Sequence, residues 1–434
     1  MDPVTLAGIV LVIGIAACII FAVPIAVGIG LSSFAAAAVL LDFDKASIVS
    51  AQKIFTGINS FTLLAIPFFV LAGVLMNSGG IAGRLIDAAK VVVGRMPNSL
   101  AQTNVVANAM FGAVSGAAVA AAAAIGTVMT PRMREDGYDK NFAAAVNVAS
   151  APSGMLIPPS NTFIVYSLVS STSVAALFMA GVGPGLVWAI ACMIVVAILG
   201  RKYGGRTAAE RPTFAQAMLT IWRAVPSLLM IIIVVGGILF GWFTATESSA
   251  IAVVYCLVLG FLYKQLTVKA LPGLLLDAAR TTAIVMLLVG VSTVLSFVMS
   301  FAHIPQLVSD ALLGLSQNPN VILIIMMLIL LVVGSFMDPT PAILIFTPIF
   351  LPILEGFDID PLHFGTMLVY NLCVGVITPP VGNVLFVGAR VAGLRIEPVV
   401  GKLIWFLLAL VVGLFLVVFI PQLSLWLPTV MGLT

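Results

Sequence analysis

The sequence predicts an all-α polytopic membrane protein made of two inverted-topology repeats. Three observations carry this reading: the composition, about ten apolar segments of crossing length, and tandem prolines that interrupt equivalent segments in both halves. Of the 434 residues, 62% are hydrophobic and 8% charged, against about 45–50% and about 25% in soluble domains. So few polar groups cannot cover a globular surface, which excludes a soluble enzyme, a nucleic-acid binder and a disordered chain. Cys18, Cys192, Cys256 and Cys373 lie far apart in apolar runs, with neither metal spacing nor a disulfide frame. The first 40 residues carry no Lys or Arg, so a cleavable signal peptide is not expected.

A crossing helix needs about 20 mostly apolar residues. Such segments fall at 4–22, 24–41, 58–79, 141–170, 175–200, 224–243, 248–263, 281–303, 361–390 and 402–421, ten in all. Two further apolar stretches, 97–131 and 319–352, are too long for one helix and are broken in the middle. The first breaks at Gly112-Ala113-Val114-Ser115-Gly116 and the second at Gly334-Ser335-Phe336-Met337-Asp338-Pro339. Legs of about 15 residues reach about 22 Å, short of a hydrocarbon core of about 30 Å. Each stretch therefore reads as a re-entrant helical hairpin. Two ordinary crossings joined by a tight turn would return the chain to the same side equally well.

Loops rich in Lys and Arg mark the cytoplasmic side. Basic residues flank the first hairpin (Arg84, Lys90, Arg95; Arg132, Arg134, Lys140) and fill the connector 201–223 with Arg201, Lys202, Arg206, Arg211 and Arg223. Lys264, Lys269 and Arg280, then Arg390, Arg395 and Lys402, complete 17 of 19 basic residues on the inside, leaving Lys45 and Lys53 outside. The loops flanking the second hairpin hold Asp310, Glu355, Asp358 and Asp360 without a basic residue, so they face outward, as do both termini. Trp222, Trp242, Trp405 and Trp426 stand near segment ends, as an interfacial belt requires.

The halves 1–200 and 224–434 echo each other. Ile81 matches Ile304, Ser115 matches Ser335, Thr130-Pro131 matches Thr347-Pro348, and Gly154 matches Gly375, at offsets of 223, 220, 217 and 221 residues. Matching loops carry opposite signatures: basic 132–140 pairs with acidic 353–361. Equivalent loops thus lie on opposite sides, a frequent plan of secondary transporters. The stretches 44–57 and 267–280 also correspond. They read as helices along the membrane surface, with simple extension of the next crossing as the alternative.

The crossings 141–170 and 361–390 each carry a mid-membrane Pro-Pro. Proline lacks an N–H and clashes with the preceding turn, and the freed carbonyls are tolerated only where buried or lining a cavity. Ser150, Ser153, Ser160, Asn161 and Thr162 surround the first break; Asn371, Thr378 and Asn383 surround the second. These neutral oxygens suit a weakly held hard cation such as Na⁺, while half-helix N-termini suit an anion. Asp338 is the only carboxylate expected near mid-membrane, either as a functional group or as a cap of its hairpin turn. Glu247 reads as a solvated residue at an outer segment end, and His303 and His363 as interfacial histidines without metal spacing. The run Ala117–Ala124 reads as close helix packing. Gly181-Val182-Gly183-Pro184-Gly185 lacks a Walker lysine, and no ATPase domain exists, so transport must draw on an ion gradient.

At this point the chain resembles the large membrane subunit of the tripartite ATP-independent periplasmic (TRAP) transporters over essentially its whole length. The most specific pieces are Ala65-Ile66-Pro67-Phe68-Phe69-Val70-Leu71-Ala72-Gly73, Ile157-Pro158-Pro159-Ser160, Asp338-Pro339-Thr340 and Thr378-Pro379-Pro380-Val381-Gly382. The resemblance implies an elevator mechanism in the bacterial inner membrane, coupled to Na⁺ and needing no organic cofactor. It also implies two partners, a small four-helix membrane subunit and a periplasmic substrate-binding protein. Family substrates are mostly organic acids, including sialic acids and C4-dicarboxylates. Carried over by position, one Na⁺ site would use Ser115, Gly154, Ile157 and Pro159, and the other Gly334, Gly375, Thr378 and Val381, mostly through backbone carbonyls. Candidate substrate-lining residues are Ser153, Ser160, Asn161, Ser335, Asp338 and Asn383. Asn161 stands where the family often has Ile or Met, and Ser160-Asn161-Thr162 is similar to a motif of the divalent-anion/sodium symporters, which leaves the side-chain ligands of the first site open. A stand-alone sodium/dicarboxylate symporter is therefore the alternative. An intramembrane serine protease built on Ser115 is remote, because the Gly-x-Ser-Gly spacing is missed by one residue and both histidines fall on the outer side.

Overall fold

The computed structural model describes residues 3–21, 23–205 and 213–433. Arg206 and Arg211 of the expected connector lie outside the described residues. Every regular element among the described residues is helical. The first half holds α1 (Pro3–Ile20), α2 (Ile25–Leu41), α3 (Phe43–Ile58), α4 (Ala65–Ser78), α5 (Ile81–Val93), α6 (Ser99–Ser115), α7 (Ala118–Glu135), α8 (Lys140–Ser150), α9 (Ser153–Leu156), α10 (Asn161–Ser170) and α11 (Val174–Tyr203). The second holds α12 (Phe214–Leu239), α13 (Ala245–Leu262), α14 (Leu271–Phe301), α15 (Ile304–Leu315), α16 (Pro319–Phe336), α17 (Pro339–Glu355), α18 (Pro361–Gly375), α19 (Asn383–Ala392), α20 (Ile396–Phe419) and α21 (Gln422–Val430).

Local chemistry sets the helix ends. Asp139 accepts from the Phe142 N–H at 2.8 Å and Asp360 from the Leu362 N–H at 2.7 Å, satisfying first-turn donors of α8 and α18. Thr213 and Gln216 form a capping box at α12. Both ends of the expected connector 201–223 are helical: Arg201–Tyr203 finish α11, and α12 begins at Phe214. Thr244 and Glu247 form a second box at α13. Glu247 is thus a capping residue rather than merely solvated, its carboxylate accepting from the Thr244 N–H at 2.7 Å.

Among the described residues, six helices are each long and apolar enough to cross a membrane: Val174–Tyr203, Ala215–Leu239, Ala245–Leu262, Val268–Phe301, Pro319–Phe336 and Ile396–Phe419. A polytopic membrane protein follows. The other expected crossings correspond to shorter helices or to helices broken at the tandem prolines. Leg length does not by itself mark the second hairpin as re-entrant, because Pro319–Phe336 alone has 18 residues. The surface-helix expectation holds only as a break in the first half: α3 is bent by 64° from Thr62–Ser78. In the second half residues 271–301 form one continuous helix, so 267–280 is not a separate helix. Asn59-Ser60 interrupts the first, whereas no further proline follows Pro272 in α14.

Packing sorts the helices into two groups. α4 lies on α13, α2 on α1 and α14, and α5 on α12. The second group joins α6–α11 with α16–α21, through pairs such as α16 with α18, α11 with α20 and α8 with α20. Its centre is the most buried part of the molecule: every residue of α18 from Leu362 to Gly375 is buried, as is Phe142–Ser150 of α8. Tyr166 of α10 donates to the Pro361 carbonyl at 2.6 Å, tying the first broken segment to the start of the second. Trp222, Trp242, Trp405 and Trp426 are all exposed, as the interfacial belt requires. His363, in contrast, is buried. It bonds Ser424 and the Val418 carbonyl, fastening the C-terminal helix, because α20 and α21 cover the start of α18.

Candidate functional site

Both apolar stretches expected to turn back do so. The first turns at Gly116-Ala117, where Gly116 takes φ +59°, a left-handed conformation suited to glycine. Asn104 and Met133, on opposite legs, come within 3.9 Å. The second turns at Met337-Asp338, and Leu323 and Leu354 line one small gap between its legs. Both proline-broken crossings are also interrupted where expected, at Ala151–Ser160 and Val376–Gly382, and both Pro-Pro bonds are cis.

The inbound leg of each hairpin packs on the break of its own half, α6 on α9 and α16 on α18. Glycines allow this. A Cβ on Gly112 would lie 2.2 Å from the Gly154 Cα, and a Cβ on Gly375 would lie 2.6 Å from the Gly334 Cα. The return legs cross over: α7 packs on α19 and α17 on α10. Four half-helix starts, Ala118, Asn161, Pro339 and Asn383, are thereby drawn together.

They meet at one cavity of about 330 Å³. Its wall includes Gly116–Val119, Asn161 and Thr162, Asp338–Thr340, and Val384, so the N-termini of α7, α10, α17 and α19 all reach it. The first-group helices α4 and α14 close the remaining side through Ile66, Val70, Thr281 and Leu288. The first helical bonds donate from Ala121, Ile164, Ala342 and Phe386, and earlier N–H groups lie outside the helical ladders, although α17 offers only that of Thr340, between Pro339 and Pro341, and the Val384 N–H of α19 donates to the Val376 carbonyl. Helix starts carry partial positive charge that favours an anion, and the one side chain of acidic type on the same wall is Asp338. Among the described residues, no Lys, Arg or His lines the cavity.

Of the six candidate substrate-lining residues, Asn161 and Asp338 stand on the wall, and Asn383 Nδ2 donates to Asp338 at 2.8 Å. Asp338 makes no side-chain cap to its own helix. Three serines are turned away from the cavity, each donating to a backbone carbonyl: Ser153 to Ser150, Ser160 to Met155, and Ser335 to Val332. A hydroxyl next to a broken turn finds a freed carbonyl closer than the cavity.

Of the two expected cation sets, Gly154 and the pair Gly334–Gly375 stand at the hairpin–break contacts. Ser115 sits at the end of α6, its hydroxyl buried without a partner, which leaves an oxygen free for a ligand. Gly154 touches Gly112, while Ile157 lies against Gly185 of α11 and Pro159 beside Ala113. In the other set Gly334 meets Gly375. Thr378 Oγ1 donates to Val374 at 2.7 Å and retains its lone pairs, and Val381 is exposed.

Sequence reasoning missed two features. Thr281 reaches the cavity from α14, and no motif marks it. Asn108 Nδ2 lies within 2.7, 3.1 and 2.8 Å of Asn104, Asn147 and Ser150, fully inside the first hairpin contact. The spacing of Asn104 and Asn108, one helical turn apart in an apolar leg, was the available signal.

A polytopic helical protein whose broken helices and hairpins enclose an anion-suited cavity is a membrane transporter. The family described as tripartite ATP-independent periplasmic transporter, DctM component, matches residues 12–423. The chain belongs to that family and is a large permease subunit, not an enzyme. It is 51% identical to the YgiK protein of Salmonella typhimurium over 94% of each chain. It is 37% identical to the sialic acid TRAP transporter large permease protein SiaM of Vibrio cholerae, covering 93% of this chain and 94% of that one. It is 38% identical to the isethionate TRAP transporter permease protein DctMQ of Oleidesulfovibrio alaskensis, over 92% of this chain and 62% of that longer one. In fold it is similar to the YdaH transporter of Alcanivorax borkumensis, with a TM-score of 0.58 at 14% identity, covering 91% and 90% of the two chains.

Proposed function

We propose that this permease takes up an organic acid together with Na⁺ by an elevator movement, the acid being delivered by a periplasmic substrate-binding protein. The observation that carries the reading is the meeting of four helix N-termini at a cavity without basic side chains. Such a site replaces the water of a carboxylate by backbone dipoles. The names of SiaM and DctMQ, which refer to sialic acid and isethionate, support an organic anion as cargo.

The two halves form inverted repeats with about ten crossings, two re-entrant hairpins and two discontinuous helices, and both termini lie outside. α6–α11 and α16–α21 move as the carrier; α1–α5 and α12–α15 form the scaffold. Na⁺ is cargo. Its oxygens come from Ser115, Gly154, Ile157 and Pro159 in one site and from Gly334, Gly375, Thr378 and Val381 in the other. The unpartnered Ser115 hydroxyl and the paired glycine contacts support these positions. A small four-helix subunit works beside the chain in the bacterial inner membrane, surrounded by lipid. The length of DctMQ beyond the match supports a further membrane component.

The test is uptake into proteoliposomes holding both membrane subunits. Accumulation should require an inward Na⁺ gradient and the binding protein. Full-rate uptake without the binding protein would favour the stand-alone sodium/dicarboxylate symporter.

A further inference from the structure

At one end of the second helix group, away from the central cavity, two lysines converge on one tyrosine. Tyr203 ends α11, and Lys402 stands in the second turn of α20. The two helices pack on each other. Lys402 Nζ lies 3.6 Å from the centre of the Tyr203 ring and Lys202 Nζ 5.4 Å from it, both within cation–π range. The ring is seated against Phe142 of α8, at 5.9 Å between centroids, and Phe142 in turn meets Phe406 of α20 at 6.2 Å. The Tyr203 carbonyl accepts from the Asp139 N–H at 3.0 Å. Among the described residues the ion pairs are Lys45–Asp42 and Arg132–Asp87, so neither ammonium group at Tyr203 is neutralised. Each has three donors, and one ring takes at most one of them. Apolar side chains adjoin this charge on both helices. On α11, Ile190, Ile194 and Ile198 are exposed and lead to Lys202 at steps of four residues, which makes one ridge. On α20, Trp405, Leu408 and Val412 are exposed and follow Lys402 at steps of three or four. Both helices are of crossing length.

We propose that this end of α11 and α20 is a binding site for an anionic glycerophospholipid, with Lys202 and Lys402 on its phosphate and the two apolar ridges along its acyl chains. Trp405, one turn after Lys402, marks the membrane interface, so the ammonium groups stand at headgroup depth. Two ammonium groups drawn to one ring repel each other, and a shared anion offsets that repulsion. A phosphodiester accepts charge-assisted bonds from both. Free phosphate would satisfy the lysines alone, whereas a phospholipid also covers the ridges. A headgroup of net negative charge is favoured over phosphatidylethanolamine, whose own ammonium group would bring a third like charge to the lysines. The site is separate from the central cavity and does not depend on what the permease carries.

Native mass spectrometry of the detergent-purified full chain tests this with phosphatidylglycerol, phosphatidylethanolamine and inorganic phosphate as probes. The unaltered chain should retain phosphatidylglycerol about fivefold or more over phosphatidylethanolamine, the step expected of about one lysine charge at a headgroup. Lys202→Gln with Lys402→Gln should cut phosphatidylglycerol retention about fivefold or more and leave phosphatidylethanolamine unchanged. Lys264→Gln with Lys269→Gln, on the first helix group, is the matched control and should leave retention unchanged. Ile198→Ser with Leu408→Ser reads the same site through the acyl chains and should cut retention of phosphatidylglycerol about threefold or more; it decides the matter if the lysine variant does not fold. Equal retention of the two lipids would overturn the proposal, as would unchanged retention in either variant of the site. An equal loss in the control would reduce the effect to general attraction of the basic surface. Displacement of phosphatidylglycerol by an equal concentration of inorganic phosphate would assign the lysines to a free anion and overturn the lipid site.

Discussion

Gly112 and Gly154 meet backbone to backbone: a Cβ built on Gly154 would lie 2.1 Å from the Gly112 Cα. The contact joins the inbound leg of the first hairpin to the short helix at the first break. Gly334 and Gly375 repeat it in the second half, where a Cβ on Gly375 would lie 2.4 Å from the Gly334 carbonyl carbon. At both places the neighbour is backbone, which cannot rotate aside.

Gly154→Ala should therefore force the hairpin away from the break. Overpacking of this kind costs about 1–3 kcal/mol, and the shift should abolish uptake in proteoliposomes. Gly401→Ala is the matched control, because a Cβ there meets nothing within 4 Å and uptake should be unchanged. A fully active Gly154→Ala would show that this contact does not position the transport machinery.

Thr378→Val preserves shape and removes the hydroxyl that donates to Val374. With the protein still folded, half-maximal uptake should need a severalfold higher Na⁺ concentration. Unchanged Na⁺ dependence would remove the side chain from the proposed second cation site and leave only its carbonyl.

Topology can be read by thiol labelling in a chain carrying Cys18→Ser. Arg95→Cys and Arg134→Cys flank the first hairpin and should resist an impermeant reagent applied outside. Asp358→Cys, in the exposed loop after the second hairpin, should react. Labelling of all three from outside would overturn the inverted repeat.

The proposed elevator movement predicts sensitivity to a tether between the two helix groups. Ser300 of α14 and Ile353 of α17 line one cleft of about 450 Å³ between them. A reducible crosslink between Ser300→Cys and Ile353→Cys should stop uptake, and reduction should restore it. Complete crosslinking with uptake at full rate would favour a fixed carrier with local gates.

How much of the site was legible differs from residue to residue. Asp338 and Asn161 could be found because a polar residue beside a mid-membrane break has few other uses, and both reach the cavity. Ser153, Ser160 and Ser335 carried the same signal, yet each bonds a nearby carbonyl. A side-chain rotamer decides between these outcomes, and composition does not encode it. Thr281 was not legible, because its place depends on a helix far away in the chain. His363 read as interfacial, but α20 and α21 bury it.

The sequence by itself determined the class of protein and the positions of the two hairpin turns and two proline breaks. These follow from local properties: apolar length sets membrane segments, proline removes a donor, and glycine permits a close approach. Only the tertiary structure decided that the return legs cross, α7 onto α19 and α17 onto α10, so that four helix N-termini share one cavity. It also decided that α14 runs unbroken where its counterpart bends by 64°. Such choices depend on contacts between residues some 200 positions apart, and a hydropathy pattern specifies which face of a helix is apolar without specifying which helix will cover it.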